Sequence, residues 1–156
     1  MGIKPTFASG SIIDKVAAFQ KRLEAATIYM LKYMGENLIA YARDQRNYQD
    51  QTGNLTNSIG YVIVQSGNPI HQGGFIQAGD GADAGLSIAL KMAKSTPNSF
   101  SLIIVAGMNY AAYVEAKGYN VILPAELKAM KDFPAAIAKL KEQARSKAIE
   151  LFGVAA

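Results

Sequence analysis

Apolar residues recur along the first third of the chain at Ile12, Val16, Phe19, Leu23, Ala26, Met30 and Tyr33, and then at Met34, Leu38 and Tyr41. Steps of four and three place them on one face of an α-helix. The run opens on Ser11-Ile12-Ile13-Asp14, a hydroxyl followed three residues later by a carboxylate, which is the pattern of a capping box. The pattern predicts a helix to about Asp44, with Gly35 as the place where it kinks or breaks. About 33 residues at ~1.5 Å each span ~50 Å. A compact chain of this size has a radius of gyration near ~15 Å. Unbroken, the helix overhangs its own subunit, and its stripe calls for a partner, either the C-terminal helix or a second copy. Broken at Gly35, it makes two ordinary helices.

The pattern then changes. Gln45 to Asn54 is polar and predicts a loop. Ser58-Ile59-Gly60-Tyr61-Val62-Ile63-Val64 is rich in β-branched and aromatic residues and predicts a strand, which Gln65-Ser66-Gly67-Asn68-Pro69 ends. The stretch near 66–85 is glycine-rich and reads as a flexible loop, with a short strand at Phe75-Ile76. Ala84 to Lys94 looks helical, Pro97 breaks that run, and Phe100 to Val105 predicts a strand. Tyr110 to Ala116 predicts one or two helical turns, and Tyr119-Asn120-Val121-Ile122 a short strand. Pro124 opens a helix to about Asp132, and Pro134 opens the last one, about 135–151, with Gly153 just past its end. Residues 1–10, with Gly2, Pro5 and Gly10, read as a flexible N-terminal arm, and 11–156 as a single domain without internal repeats. The order α-β-(β)-α-β-α-β-α-α lacks regular βαβ alternation. It predicts the α+β class, with a long N-terminal helix and a C-terminal helix packed on a small antiparallel or mixed sheet.

Composition narrows the function classes. Half of the 156 residues are hydrophobic and 18% are charged, so the chain can build a core and is not of the disordered type. A weakly charged, mildly apolar surface suits a subunit covered by neighbours. The net charge of +4 is spread: residues 1–60 and 101–156 each hold seven basic and five acidic residues, and 61–100 two of each. Lys139, Lys141, Glu142, Arg145, Lys147 and Glu150 make a mixed, solvated helix face and not the basic stripe of a nucleic-acid reader. A weak positive field near DNA remains compatible with this charge. There is no cysteine, so disulfides and thiolate chemistry are excluded. No stretch approaches ~18 apolar residues, so neither a membrane span nor a signal peptide is expected. Met1-Gly2-Ile3-Lys4-Pro5-Thr6 fits a myristoylation pattern and Asn54-Leu55-Thr56 a glycosylation sequon; both read as chance matches.

Catalytic patterns are lacking. His71 is the only histidine, so one chain cannot form a two- or three-histidine metal site, and in a glycine-rich stretch it reads as a solvated loop residue. Gly79-Asp80-Gly81 is not followed by the Lys and Ser/Thr of a phosphate loop, and Asp80 and Asp83 lack the oxygen ligands of a calcium loop. The sequence therefore predicts no enzyme, no cofactor and no metal.

Two segments stand out. In Asp50-Gln51-Thr52-Gly53-Asn54-Leu55-Thr56-Asn57-Ser58-Ile59, Gly53 and Asn54 suit a turn, while Leu55 and Ile59 anchor it. In Gly107-Met108-Asn109-Tyr110-Ala111-Ala112-Tyr113-Val114-Glu115-Ala116-Lys117-Gly118, helical spacing puts Tyr110 and Tyr113 on one face with Val114 beside them, and leaves Glu115 solvated or capping. Together, Thr52, Gly53, Asn54, Leu55, Ser58 and Ile59, followed by Tyr110, Ala111, Tyr113, Val114, Glu115 and Gly118, resemble a known pair of motifs. The family is that of phage morphogenesis proteins variously called tail-completion, minor-tail-Z-like or gene-10-like neck proteins. The resemblance covers about residues 12–150 and includes the helices flanking the motifs. Thr56 and Asn57 stand where the family often has a basic residue, Ala116 where it often has an aromatic, and the segment around 66–98 is longer than the minimal pattern.

The resemblance implies a structural virion protein at the head–tail interface of a tailed bacteriophage. Such a protein completes the tail or joins it to the head connector. Its partners would be the connector or portal side, the tail tube or terminator side, and further copies in a homo-oligomeric ring. It also implies that the motif loops lie near one end of the sheet and that Tyr110, Tyr113 and Glu115 shape a contact surface. Another neck or tail component, such as a tail terminator, is the alternative within this class. A nucleic-acid-binding accessory protein is the alternative outside it.

Overall fold

A computed structural model describes residues 9–76 and 79–153. In chain order the elements are α1 (Ser9–Asp44), α2 (Asn54–Asn57), β1 (Ile59–Gln65), β2 (Asn68–Gly73), α3 (Asp80–Ala93), β3 (Phe100–Ala106), α4 (Ala111–Ala116) and α5 (Leu123–Phe152). The class is α+β: long terminal helices flank a three-stranded antiparallel sheet of order β2-β1-β3.

The central strand explains the layering. Ile59 to Val64 are all buried, because both faces of β1 are covered, and a strand covered on both faces reads as a continuous apolar run. Ile59, Tyr61 and Ile63 face α1, where they meet Leu31, Leu38, Ile39 and Ala42. Val62 and Val64 face the other way, onto Ala89 and Ala93 of α3 and Ile103 and Val105 of β3. Helix α3 comes close because its buried stripe, Gly81, Gly85, Ala89 and Ala93, carries almost no side chain. A Cβ at Gly85 would lie 2.3 Å from the Ser58 carbonyl oxygen.

Helix α1 is unbroken over 36 residues. Gly35 neither kinks nor ends it; a Cβ there would lie 2.6 Å from the Tyr61 ring, so the glycine makes room for a buried tyrosine. The helix begins at Ser9, so Ser11 lies inside it and does not cap it, and the expected arm ends two residues earlier; the rest of that arm, residues 1–8, lies outside the described residues. Burial on α1 starts only at Leu31, whereas Ile12, Ile13 and Val16 stay exposed. The outer half overhangs the sheet and is accompanied by α5, whose Phe152 meets Phe19 edge to face at 5.9 Å.

Three further expectations are corrected. The strand in the glycine-rich 66–85 segment is Asn68–Gly73, not Phe75-Ile76, and α3 already starts at Asp80, so that segment is not loop throughout. Phe75 instead turns its ring onto Gly60. Tyr119 to Ile122 is not a strand, because the N–H groups of Val121 and Ile122 that a sheet would bond donate to the Glu115 carboxylate, while Val121 packs in the core beside Ala125. Pro134 lies inside one continuous α5 instead of opening a new helix. It removes a bond to the Met130 carbonyl, and Met130 is exposed, so water can serve that oxygen.

Candidate assembly site

The first motif builds a turn and a strand start. Asp50 Oδ2 accepts the Thr56 N–H at 2.7 Å, and Thr52 Oγ1 accepts the Asn54 N–H at 3.3 Å. Gly53 takes φ +74, a backbone angle that favours glycine. The single turn of α2 then drops Leu55 into the core and leads through buried Ser58 to Ile59, the first residue of β1.

Ser58 joins this motif to the second. Its hydroxyl donates to the Leu55 carbonyl at 2.7 Å and accepts the Gly107 N–H at 3.1 Å. The same N–H also reaches the Ser58 carbonyl oxygen at 3.2 Å. Since Ile59 pairs with Ala106 in the sheet, both motifs leave the sheet at one end.

The second motif is a short helix closed by Gly118 at φ +89. Ala111 is buried and Val114 packs on the core, whereas Tyr113 points to solvent at 64% exposure. Tyr113 and Val114, about 100° apart on the helix, therefore serve solvent and core respectively. The Lys117 ammonium sits 5.3 Å from the centre of the Tyr113 ring, a cation–π contact. Tyr110, Tyr119, Leu123 and Leu127 are exposed too.

Glu115 is not part of that exposed surface. Its Oε1 accepts the N–H groups of Val121, Ile122 and Leu123 at 3.3, 3.0 and 2.6 Å, so it caps α5 from the preceding helix. The first N–H groups of a helix have no partner of their own and carry positive partial charge, which a carboxylate satisfies.

Several residues at this end were not singled out by the sequence. Arg46 Nη1 donates to Thr56 Oγ1 at 3.0 Å. Tyr48 comes within 3.4 Å of the same hydroxyl, and burial pushes its phenol up from the ordinary value. Asn47 Oδ1 accepts the Asn120 N–H at 2.7 Å, and Asn120 Nδ2 donates to the Gln45 carbonyl at 2.9 Å. Arg43 Nη2 donates to the carbonyls of Ile59 and Gly74, tying α1 to both strands where β2 has ended. Partners more than 70 residues apart, such as Asn47 and Asn120, leave no spacing signal in a sequence.

His71 lies on β2 and not in a solvated loop. Its Nε2 is 3.2 Å from the Tyr61 hydroxyl, which donates to Glu36 Oε1 at 2.8 Å. Burial, and then the charge of Lys32, hold the imidazole below its ordinary value, with Glu36 opposing them. Burial and the Glu36 carboxylate push the Tyr61 phenol up. Among the described residues no three metal-ligating side chains converge, and no helix is long and apolar enough to cross a membrane. No protein-family model, curated protein or solved structure matches the chain.

Proposed function

We propose that the chain is a structural assembly protein of a tailed bacteriophage virion, acting at the head–tail neck to complete the tail or to join it to the head connector. It works by shape and surface, without catalysis, cofactor or metal. Its partners are the connector or portal side, the tube or terminator side, and further copies of itself in a ring. The observation that carries this reading is the Ser58–Gly107 junction, which makes one unit of the two motifs on which the resemblance rests. Arg46 adds support: its guanidinium bonds Thr56, so positive charge reaches the place where the family often carries a basic side chain. Exposed Tyr113, Tyr119 and Leu123 give the same end an aromatic and apolar surface of the kind that forms interface cores.

The test is to sequence the DNA flanking the gene. Capsid and portal genes on one side with tail-tube and tape-measure genes on the other are expected. Metabolic or regulatory neighbours would reduce the motif pair to coincidence, and salt-dependent retention on DNA would then be the next measurement.

A further inference from the structure

Among the described residues the sheet ends at β3, with no strand beyond it. Which of its backbone groups are free follows from the register. Gly107 N–H bonds Ser58 O, and Ser66 N–H bonds Ser99 O, one step beyond each end of the β1–β3 ladder. Antiparallel pairs alternate between bonded and non-bonded. Val105, Ile103 and Ser101 therefore turn their N–H and C=O groups towards β1, and Ala106, Ile104, Leu102 and Phe100 turn theirs away from it. Among the described residues none of these outward groups meets a hydrogen-bond partner.

Edge strands are ordinarily guarded by charge, proline or a bulge. Strand β2 is guarded: it carries Pro69, and its register shifts between Ile63 and Val64. Strand β3, Phe-Ser-Leu-Ile-Ile-Val-Ala, has no charge, no proline and no register shift. Helix α5 adds an apolar wall to this edge. Ile137 lines a groove together with Phe100, the first residue of β3. Phe133 and Met130, four and seven residues earlier, lie on the same helical face, and they are 37% and 70% exposed.

We infer that the β3 edge, walled by Met130, Phe133 and Ile137 of α5, is a docking site for an extended segment of another protein, which adds as a fourth strand. The outward N–H and C=O groups of Leu102 and Ile104 match the alternating donors and acceptors of an added backbone strand, and the uncharged strand and apolar wall suit alternate apolar side chains. Residues bonded to Leu102 and Ile104 share their face of the sheet, the α1 and α5 side, so the apolar positions of the occupant are the bonded ones. This inference stands on the sheet edge alone and does not depend on the neck reading.

The probe is a fluorescent, end-blocked peptide Thr-Val-Thr-Ile-Thr-Val-Thr added to the full chain. Saturable binding is expected, with amide hydrogen exchange at Leu102 and Ile104 slowing about tenfold or more, while Ile103 and Val105, already bonded to β1, stay unchanged. A peptide N-methylated at its three apolar residues should not bind. Phe133→Lys should weaken binding about fivefold or more with an unaltered circular dichroism spectrum. Equal binding of the methylated peptide, no binding at all, or Leu102 and Ile104 amides already protected in the free chain would overturn the site. Protection that rises with protein concentration alone would also overturn it, by giving the edge to a second copy.

Discussion

The carboxylate of Glu115 accepts the backbone N–H of Leu123 at 2.6 Å, and this contact carries the chain from the second motif into α5. Glu115→Ala leaves three N–H groups at the start of α5 without their acceptor. It should cost about 1–3 kcal/mol, read from urea denaturation. Glu115→Gln keeps an acceptor oxygen and should cost less. Equal losses for the two variants would mean that the charge and not the hydrogen bonds sustains the cap.

Gly35→Ala opposes two effects. Alanine favours a helix over glycine by about 1 kcal/mol, but its Cβ would meet the Tyr61 ring at 2.6 Å, and forcing atoms into a packed core costs about 1–3 kcal/mol. Because Tyr61 is fully buried and held by Glu36 and His71, the ring has little room to withdraw. A net loss of stability is expected; a gain in melting temperature would show that Tyr61 yields.

Tyr113→Ala should leave the subunit folded, since a side chain with 64% exposure contributes little to the core, and such surface changes stay within about 0.5 kcal/mol. On the neck reading the same variant blocks joining of filled heads to tails, scored by complementation and electron microscopy of the particles. Global unfolding of the isolated variant would make Tyr113 a core residue; normal joining would remove it from the contact surface.

His71 should make stability depend on pH. Its folded-state pKa lies below the ordinary 6.5, so the unfolded chain binds the proton more readily. The stabilisation is present above about pH 6.5 and is lost as pH falls below that value towards the folded pKa. It is the only histidine, so the part of the slope below about pH 6.5 that His71→Gln removes measures its share. An unchanged slope would mean that the imidazole titrates alike in both states.

Much of the fold was legible because its signals are local. The three-and-four spacing of α1, the β-branched runs of β1 and β3, and the Gly53 turn each follow from a few consecutive residues. What failed was decided at a distance. Strand β2 is polar and contains Pro69 because it is an edge, so it resembles a loop. Gly35 and Pro134 suggest breaks, yet Tyr61 explains the first, and packing of α5 against α1 carries the helix through the second. Val121 and Ile122 have strand-like side chains, but the N–H groups that a sheet would need are taken by Glu115. At the candidate site, turn geometry was readable at Gly53 and Leu55, and a cap was one of two readings of Glu115, whereas the N–H groups that Glu115 takes and the Asn47–Asn120 link needed coordinates.

The overhang of α1 has a hydrodynamic consequence. Its 36 residues make a rod of about 54 Å, against a diameter of some 30–40 Å for a compact chain of this length. A single subunit should therefore meet more drag than a sphere of equal mass, sediment slowly for its weight and tumble anisotropically. A gel-filtration standard curve would overstate its mass, so weighing the particle by light scattering is the sound way to count its copies.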